Sequence, residues 1–358
     1  GLIIVFAISP ALSATNNVSD NYYVSKQAIA IIMGFVTFMI VANLKPQTWR
    51  SLEKPLIFLA LGASIAVRFF GEQVNGAYRW VQIGGFSFQA AELIKFALVI
   101  WLAGFLADRI KRGTLSDWND TLKPLGIAVG LIGLVVAFVQ SDLGSASVMI
   151  AIMVSMAYVA GMPMKKVVMA GMIILVGVTL AISTSSYRRG RLHTFLNPAS
   201  DCQNAGYQSC QALIAVGSGG MFGQGIGSGV QAYGYLPEAA NDSIFAIYGE
   251  KFGFVGSVIL IGLYLMLFSR MIKIIERTPN EYMRLLAVGV LAWLSTQALI
   301  NIGAMTGMLP LKGITLPYIS YGGTSIIFVA ASIGLVFSVS RYTSYRISSE
   351  EKGGADDH

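Results

Sequence analysis

The sequence predicts an all-α protein that crosses a membrane many times, and two observations carry this prediction. Of the 358 residues, 55% are apolar and 12% are charged, with a mean hydropathy of +0.66. Soluble domains carry about 25% charged residues, so the composition excludes a soluble globule, a disordered chain and a coiled coil. The apolar residues also form runs close to the length of about 20 residues that spans the hydrocarbon core.

Apolar runs predict about ten transmembrane helices. The runs are residues 2–13, 27–44, 55–70, 93–107, 124–139, 144–162, 166–183, 252–269, 285–305 and 325–340. The first run is short and starts beside residue 1, so we expect the first helix to be truncated. No segment between the runs is large enough to fold alone. We therefore expect residues 1–341 to form one membrane domain and residues 342–358 to form a polar cytoplasmic tail.

The positions of Lys and Arg predict the orientation of the helices. With both termini in the cytoplasm, most of the 25 basic residues lie inside, which agrees with the excess of basic residues on cytoplasmic loops. A net charge of +7 could indicate a nucleic-acid partner. The excess of basic residues on cytoplasmic loops explains this charge more simply. This orientation places the large loop 184–251 outside, between helices 7 and 8. Its apolar patches at 213–216 and 244–248 are expected to fold back onto the bundle.

Two cysteines, Cys202 and Cys210, lie in this outer loop. An oxidising compartment permits a disulfide, but the sequence does not give the distance that a disulfide requires. A disulfide and two free thiols therefore remain open alternatives. Two Cys and two His are too few for a Cys/His metal site.

Charged residues beside the apolar runs are the first candidates for a functional site, because charge is costly in a membrane. They are Arg68, Arg79, Glu92, Lys95, Asp142, Asp242, Glu250, Lys251 and Lys312. Nearly all lie at the predicted outer ends of helices. This placement favours chemistry at the outer face over an ion pathway through the middle of the membrane, where transporter sites lie.

Several of these charges have both a structural and a functional interpretation. Glu92 and Lys95 are three residues apart on one helix face, and they form either a structural ion pair or the polar wall of a headgroup site. Asp142 either caps the following helix or faces a cavity, where it helps to hold a cation. Asp242 is either another cap or a partly desolvated general base for a hydroxyl group. Glu238 lies in the same segment as Asp242.

Three further segments carry weaker signals. Arg188, Arg189 and Arg191 form either a solvated loop or an anion site, since guanidinium groups match phosphate oxygens. The Gly-rich residues 217–231 lack the Gly-Lys-Ser/Thr of a P-loop and are typical of a flexible loop. Residues 309–325 contain two Pro among several Gly. They predict an irregular re-entrant segment, which must be buried in protein or line a cavity.

Together these segments resemble the SEDS family, the FtsW and RodA polymerases of bacterial cell-wall synthesis. The matching stretches are GAYRWVQIGGFSFQAAELIK, QSDLGSA, YRRGRLHTFLNP, GYQSCQALIAVGSGGMFGQGIG, LPEAANDSIFAIYGEKFG and INIGAMTGMLPLKGITLPYISYGGTS. They stand in the family's order and cover nearly the whole chain. The motifs KGITLP and HTFLNP are more similar to those of the FtsW division branch than to those of the RodA elongation branch.

The resemblance implies a ten-helix peptidoglycan glycosyltransferase that polymerises lipid II during septal synthesis, at the outer face of the bacterial cytoplasmic membrane. It implies that Asp242, the acidic residue ending the L-P-E-x-x-x-D motif, is the essential catalytic residue. Glu92, Lys95 and Asp142 match other family positions. The chain departs from the family pattern at Ser141, which replaces Pro, and at Asn241, which replaces Thr or Ser. Neither change removes a charge.

The mechanism that we expect from this resemblance is an inverting glycosyl transfer. Asp242 takes the proton of a sugar 4-hydroxyl, whose oxygen attacks the donor's anomeric carbon and displaces undecaprenyl pyrophosphate. The arginine cluster or a divalent cation, Mg or Mn held by Asp142 or Asp242, would stabilise the leaving group. The candidate substrate-binding residues are Arg79, Glu92, Lys95, Asp142, Arg188, Arg189, Arg191, Glu238 and Lys312.

The resemblance also implies partners and leaves competing functions. The implied partners are lipid II, a class B penicillin-binding protein transpeptidase and other divisome membrane proteins. The alternatives are a lipid II flippase, an elongation-type RodA polymerase and a non-catalytic scaffold. A flippase is expected to show internal repeat symmetry, and the sequence has no evident repeat.

Overall fold

Helices dominate the fold in the computed structural model, which describes residues 1–74, 77–83, 86–136, 140, 142–169, 171–172, 177, 190, 195, 202–204 and 206–343. The helices are α1 (Leu2–Asn16), α2 (Tyr22–Asn43), α3 (Pro46–Phe70), α4 (Ala90–Arg112), α5 (Lys123–Leu134), α6 (Leu143–Val159), α7 (Tyr207–Ser218), α8 (Ile244–Arg277), α9 (Glu281–Met305) and α10 (Gly323–Ser340). Short π-helical turns cover Trp118–Leu122 and Gln231–Tyr235.

Five of these helices, α2, α4, α8, α9 and α10, are long and apolar enough to cross a membrane. The shorter helices α1 and α6 are also apolar. The prediction of an all-α integral membrane protein is therefore confirmed. Most of the predicted helix at 166–183 lies outside the described residues, so the number of ten spans stays a prediction.

Local sequence signals explain where several helices begin and end. α3 begins at Pro46, and proline suits the first helical position because its missing N–H has no partner there in any case. α4 ends at Arg112 and is followed by the C-cap residue Gly113, which has a φ of 69°. Glycine adopts this left-handed conformation without a Cβ clash. Asn280 caps α9 by accepting a hydrogen bond from the main-chain N–H of Met283.

α8 is broken at Gly253, where φ is 66° and ψ is −163°. Residues 244–251 before the break are almost all buried, whereas the residues after it expose large apolar side chains such as Phe254, Ile259 and Met266. An exposed apolar face of this kind suits contact with lipid rather than water. The first part of α8 therefore corresponds to the apolar patch 244–248 of the predicted loop 184–251, which we call the folded loop region, and the second part matches the predicted membrane helix at 252–269.

A small antiparallel sheet precedes α4, and the sequence analysis missed it. It consists of β1 (Glu72–Val74), β2 (Ala77–Ile83) and β3 (Phe86–Gln89), in the order β1-β2-β3. Ile83 pairs with Phe86 across the β2–β3 connection. The word VQIGGFSF carries a hairpin signal, because a Gly-Gly pair separates two runs rich in β-branched and aromatic residues. The sheet adds to the helical class without changing it.

The core forms around α4, which is buried along most of its length against α3, α6 and α9. A second apolar cluster joins α1, α7 and the first part of α8, including Ile8, Ala215 and Ile247. This cluster confirms that the patches at 213–216 and 244–248 fold back onto the bundle.

Candidate active site

Residues 309–322, which we call the central segment, connect α9 to α10 and lie at the middle of the site. The stretch 310–316 has no regular structure, and Ile314, Thr315 and Leu316 are buried. Side chains of α9 supply the hydrogen bonds that an irregular backbone lacks: Asn301 Nδ2 donates to the Ile314 carbonyl at 2.7 Å, and Gln297 Nε2 donates to the Thr315 carbonyl at 3.0 Å. The prediction of an irregular segment buried in protein is therefore confirmed.

The main-chain carbonyls of residues 240, 241 and 242 each accept a hydrogen bond from another part of the chain. The Tyr321 N–H donates to Ala240 O at 2.8 Å, and Ser320 Oγ donates to Asn241 O at 2.6 Å. Asn301 Nδ2 donates to Asp242 O at 2.7 Å. Donors from α9 and the central segment therefore fix the backbone of residues 240–242, including the Cα atom that carries the Asp242 side chain.

The interpretation of Asp242 as a helix cap is wrong. Ser243, not Asp242, is the N-cap residue of α8, and the Ser243 side chain makes no capping hydrogen bond. The Ser243 hydroxyl instead donates to the Pro237 carbonyl at 2.8 Å. The Asp242 carboxylate is partly buried, with its Oδ1 atom shielded from solvent. A partly desolvated carboxylate on a fixed backbone has the features of a general base.

Glu238 shapes the same loop from its exposed side. It has a φ of 52°, in the left-handed region. Its carboxylate accepts a hydrogen bond from Asn241 Nδ2 at 2.6 Å, and its carbonyl accepts one from the Asn241 N–H at 2.9 Å. The Asn that departs from the family pattern thus takes part in a local hydrogen-bonded turn. The predicted contact of Glu238 with substrate stays a prediction.

Glu92 and Lys95 form a buried ion pair with an N–O distance of 2.6 Å. Lys95 Nζ also donates to Gln297 Oε1 at 2.8 Å, and Trp293 Nε1 donates to the same oxygen at 2.7 Å. The second carboxylate oxygen of Glu92 is buried and has no hydrogen-bond partner among the described residues. The ion-pair interpretation is confirmed, but the pair is also part of a larger network.

This network continues through α9 to the loop that carries Asp242. Gln297 and Asn301 are four residues apart, so they lie on one face of the helix, about 6 Å from each other along its axis. Gln297 connects Lys95 to Thr315, and Asn301 connects Ile314 to Asp242. The structure therefore brings Glu92, Lys95 and Asp242 into one set of contacts around the central segment.

The sequence analysis missed Gln297 and Asn301, although a signal for them exists. Both are amides within a largely apolar helix, at a spacing of four residues. Polar groups inside a membrane helix mark functional or packing sites, and this holds for neutral amides as well as for charged side chains. Ser320, which was also missed, gives no comparable signal because it lies in an irregular segment.

Asp142 caps α6, which confirms the structural interpretation of this residue. Its two carboxylate oxygens accept hydrogen bonds from the N–H and the hydroxyl of Ser145, at 2.9 and 2.8 Å. The next residue but one, Gly144, lies against the central segment: a Cβ there would stand 2.6 Å from the Lys312 carbonyl oxygen. The start of α6, which Asp142 caps, therefore packs on the central segment at Lys312. This contact is what connects Asp142 to the site.

The described residues do not provide a ready site for a divalent cation. They contain no group of three or more His, Cys, Asp or Glu side chains placed to hold a metal ion. Both oxygens of Asp142 already accept hydrogen bonds from Ser145. The divalent cation that the resemblance implies therefore stays a prediction.

Four predicted substrate-binding residues are not tested by the described geometry. Arg188, Arg189 and Arg191 lie outside the described residues, and the same holds for the side chain of Arg79, whose backbone is part of β2. Their roles in substrate binding stay predictions.

The Gly-rich loop 217–231 is packed against α8, and Glu250 and Lys251 hold it there. Glu250 Oε1 accepts hydrogen bonds from the N–H groups of Val230 and Gln231 at 3.0 and 3.3 Å. Lys251 Nζ donates to Ser228 O at 2.6 Å. A Cβ at Gly229 would stand 2.7 Å from Glu250 Cδ. Close approach, rather than flexibility alone, thus explains glycine at this position.

Cys202 and Cys210 form a disulfide, with their Cα atoms 5.6 Å apart. The sequence left a disulfide and two free thiols open, and the structure contains the disulfide. It links the turn at 202–204 to the first turn of α7, which packs on the first part of α8. The disulfide therefore belongs to the same folded loop region as Glu250.

Comparisons with known proteins agree with these features. Residues 1–345 match the FtsW/RodA/SpoVE family model, which is described as "Cell cycle protein". The chain is 33% identical over 344 residues to a probable peptidoglycan glycosyltransferase FtsW of Geobacter sp. strain M18, covering 95% of this chain and 92% of that protein. It is 35% identical over 348 residues to stage V sporulation protein E of Bacillus subtilis, covering 96% and 94%.

Solved structures show the same fold. A chain from a peptidoglycan synthase complex that coordinates polymerization and crosslinking has a TM-score of 0.76 and 26% identity, covering 94% of this chain and 96% of that one. The rod shape determining protein RodA of Thermus thermophilus has a TM-score of 0.66 and 26% identity, covering 95% and 94%. Because the family model and relatives above 30% identity cover nearly the whole chain, this protein belongs to the FtsW, RodA and SpoVE family of cell cycle proteins.

Proposed function

We propose that this protein is a peptidoglycan glycosyltransferase that polymerises lipid II into β-1,4 glycan strands, at the outer face of the bacterial cytoplasmic membrane, during septal wall synthesis. Its FtsW relatives carry the name of this activity. The observation that carries the proposal is the fixed backbone at Asp242, where three consecutive carbonyls are held from α9 and the central segment.

Asp242 acts as the general base of the transfer. Its carboxylate takes the proton of the acceptor's 4-hydroxyl as that oxygen bonds to the donor's anomeric carbon. The bond from this carbon to undecaprenyl pyrophosphate breaks, and the pyrophosphate leaves with the electron pair. One base without a covalent nucleophile gives inversion at the anomeric carbon. General-base catalysis by a positioned side chain contributes about 10²–10⁴-fold in rate.

The buried Glu92–Lys95 pair supports this base indirectly. Lys95 fixes Gln297, and Gln297 holds the Thr315 backbone of the central segment. The shielded Glu92 oxygen without a described partner is an acceptor for a buried water molecule. Because both side chains are almost fully buried, Glu92 and Lys95 support the substrate site through Gln297 and the central segment rather than by touching the substrate.

The leaving pyrophosphate requires positive charge, because two negative phosphates develop further charge as the glycosidic bond breaks. Arg188, Arg189 and Arg191 supply it in this proposal, since guanidinium groups bind phosphate oxygens through paired hydrogen bonds. The remaining residues proposed to contact the substrate are Arg79, Glu238 and Lys312, whereas the buried Asp142 acts by capping α6.

The proposed partner is a class B penicillin-binding protein transpeptidase within the divisome. The similar chain of known structure comes from a synthase complex that coordinates polymerization and crosslinking. New glycan strands need crosslinking, so a transpeptidase is the reaction class that consumes this product. The proposed topology has both termini in the cytoplasm, with residues 1–341 as the membrane domain.

The test is polymerisation of labelled lipid II by the full chain, purified together with its transpeptidase. We expect glycan polymer from the wild-type chain and at least a hundredfold lower rate from Asp242→Asn. The matched control is Asp20→Asn, which neutralises an exposed carboxylate in the loop between α1 and α2 and should leave the rate unchanged.

Three outcomes contradict the proposal in different ways. Polymer formation by Asp242→Asn at the wild-type rate would show that another group is the base. Lipid II transfer between the leaflets of vesicles, without any polymer, would favour the flippase. A complex with the transpeptidase that has neither activity would favour a scaffold.

A further inference from the structure

A polar cleft lies beside the Asp242 loop, between α2, the β2–β3 hairpin and the start of α10. Its volume is about 220 Å³. Three tyrosines, Tyr22, Tyr23 and Tyr321, line it together with Lys26, Gln82 and Ser87. We call it the tyrosine cleft. None of the steps proposed above uses it.

Hydrogen bonds between its three walls hold the cleft in shape. Thr324 Oγ1 donates to Ser87 O at 3.1 Å and accepts from the Gln89 N–H at 3.2 Å, which ties β3 to α10. The buried side chain of Gln27 donates to Ser320 O at 3.3 Å, which ties α2 to the central segment. A cleft whose walls are fixed in this way is pre-formed for a ligand.

The cleft is physically connected to the Asp242 loop through Tyr321. The phenol ring of this residue lines the cleft, while its N–H holds the carbonyl of Ala240, two residues before Asp242. A single residue, Tyr321, therefore contacts both the cleft and the loop that carries the proposed base.

The lining combines aromatic faces with neutral hydrogen-bonding groups. The rings of Tyr22 and Tyr23 meet edge to face at 5.3 Å, and those of Tyr23 and Tyr321 do so at the same distance. Burial, together with the nearby hydroxyls of Tyr22 and Tyr23, raises the pKa of Tyr321 to about 12. Its hydroxyl therefore stays protonated and neutral at physiological pH.

The charge in the cleft does not favour an anion. Among its lining residues only Lys26 is charged, and its ammonium group donates to Tyr22 Oη at 2.6 Å and lies 4.3 Å from the centre of the Tyr22 ring. Phosphate sites rely on several cationic or main-chain N–H donors. The lining is also too polar for a lipid tail. A sugar ring suits it, since a sugar presents apolar C–H faces and neutral hydroxyl groups.

We propose that the tyrosine cleft is a subsite for one amino-sugar ring of the glycan strand, next to the two sugars that react at Asp242. This inference rests on the proposed function. The volume of the cleft suits a single ring with its acetamido group. Aromatic rings cover the faces of the sugar, while Gln82 and Ser87 bond its hydroxyl and acetamido groups. The subsite retains the strand between successive transfers.

The first experiment measures sugar binding directly. Saturation-transfer NMR with the full chain in lipid nanodiscs uses triacetylchitotriose as the probe, with inorganic pyrophosphate as competitor. We expect binding to weaken at least tenfold in the double variant Tyr22→Ala and Gln82→Ala. Tyr233→Ala is the matched control, because Tyr233 is an exposed tyrosine outside the cleft, and it should bind like the wild type.

The second experiment measures product length with labelled lipid II. We expect the double variant to give strands several-fold shorter than the wild type, at a similar initial rate. Unchanged probe binding or displacement of the probe by pyrophosphate overturns the subsite. Weakened binding with products of normal length also overturns its role in retaining the strand. A chain that binds the probe at the cleft but forms no polymer contradicts the proposed function and leaves sugar binding in place.

Discussion

The side-chain amide of Asn301 donates a hydrogen bond of 2.7 Å to the main-chain carbonyl of Asp242. The same nitrogen donates to Ile314 O, also at 2.7 Å. One buried amide on α9 thus joins the loop before α8 to the central segment. The proposed base is therefore held by a residue 59 positions away in the chain.

We expect Asn301→Leu to slow polymerisation at least tenfold. Leucine has a similar volume but leaves two carbonyls without their donor, and each unsatisfied buried group costs about 1–3 kcal/mol. The loss should appear in kcat more than in KM, because the base is misplaced while most substrate contacts remain. Leu299→Ala, on the exposed side of the same helix, is the control. A wild-type kcat in Asn301→Leu would show that this contact does not position Asp242.

Lys95→Met should destabilise the protein by about 3–5 kcal/mol, because it leaves the Glu92 carboxylate buried without its partner. Adding Glu92→Gln should recover part of this loss, since the double variant no longer buries an unpaired charge. Thermal unfolding in detergent, followed by tryptophan fluorescence, measures both. The single variant Glu92→Gln completes the comparison. If the losses of stability in the two single variants simply add up in the double variant, the two residues are not energetically coupled.

Gly253→Ala should destabilise the fold by about 1–3 kcal/mol, because alanine at a φ of 66° is strained. Its Cβ would also stand 2.7 Å from the Met221 carbonyl oxygen. Gly262→Ala in the same helix is the matched control, since nothing lies within 4 Å of a Cβ there. It should be neutral or stabilising by up to about 1 kcal/mol. Equal melting temperatures for the two variants would argue against the break in α8.

The two interpretations of Asp142 are separated by comparing Asp142→Asn with Asp142→Ala. Asparagine still caps a helix, whereas alanine loses the cap at a cost of about 0.5–2 kcal/mol. We expect Asp142→Asn to keep most of the stability and activity and Asp142→Ala to lose both in part. Activity measured with and without EDTA provides the second readout. If Asp142→Asn is inactive and the wild type requires a divalent cation, the negative charge is needed and the cap is secondary.

Features that depend on local composition were predicted well. Hydropathy placed helices over the described apolar runs, and Pro and Gly residues predicted the irregular backbone of the central segment. The hairpin at 77–89 was not predicted, although VQIGGFSF carries its signal, because hydropathy alone does not distinguish a short apolar strand from part of a helix. The start of α8 at Ile244 was also missed. Gly253 breaks this helix, and only the part after the break is the exposed apolar run that hydropathy detects.

The sequence by itself determined that this is a helical membrane protein of a recognisable family, because hydropathy and motif order are properties of neighbouring residues. Only the tertiary structure decided that Asp142 is a cap while Asp242 is not, that Cys202 bonds Cys210, and that Gln297 and Asn301 connect Lys95 to Asp242. The physical reason is that these contacts depend on how helices pack. Packing joins residues far apart in the chain, and no local pattern specifies it.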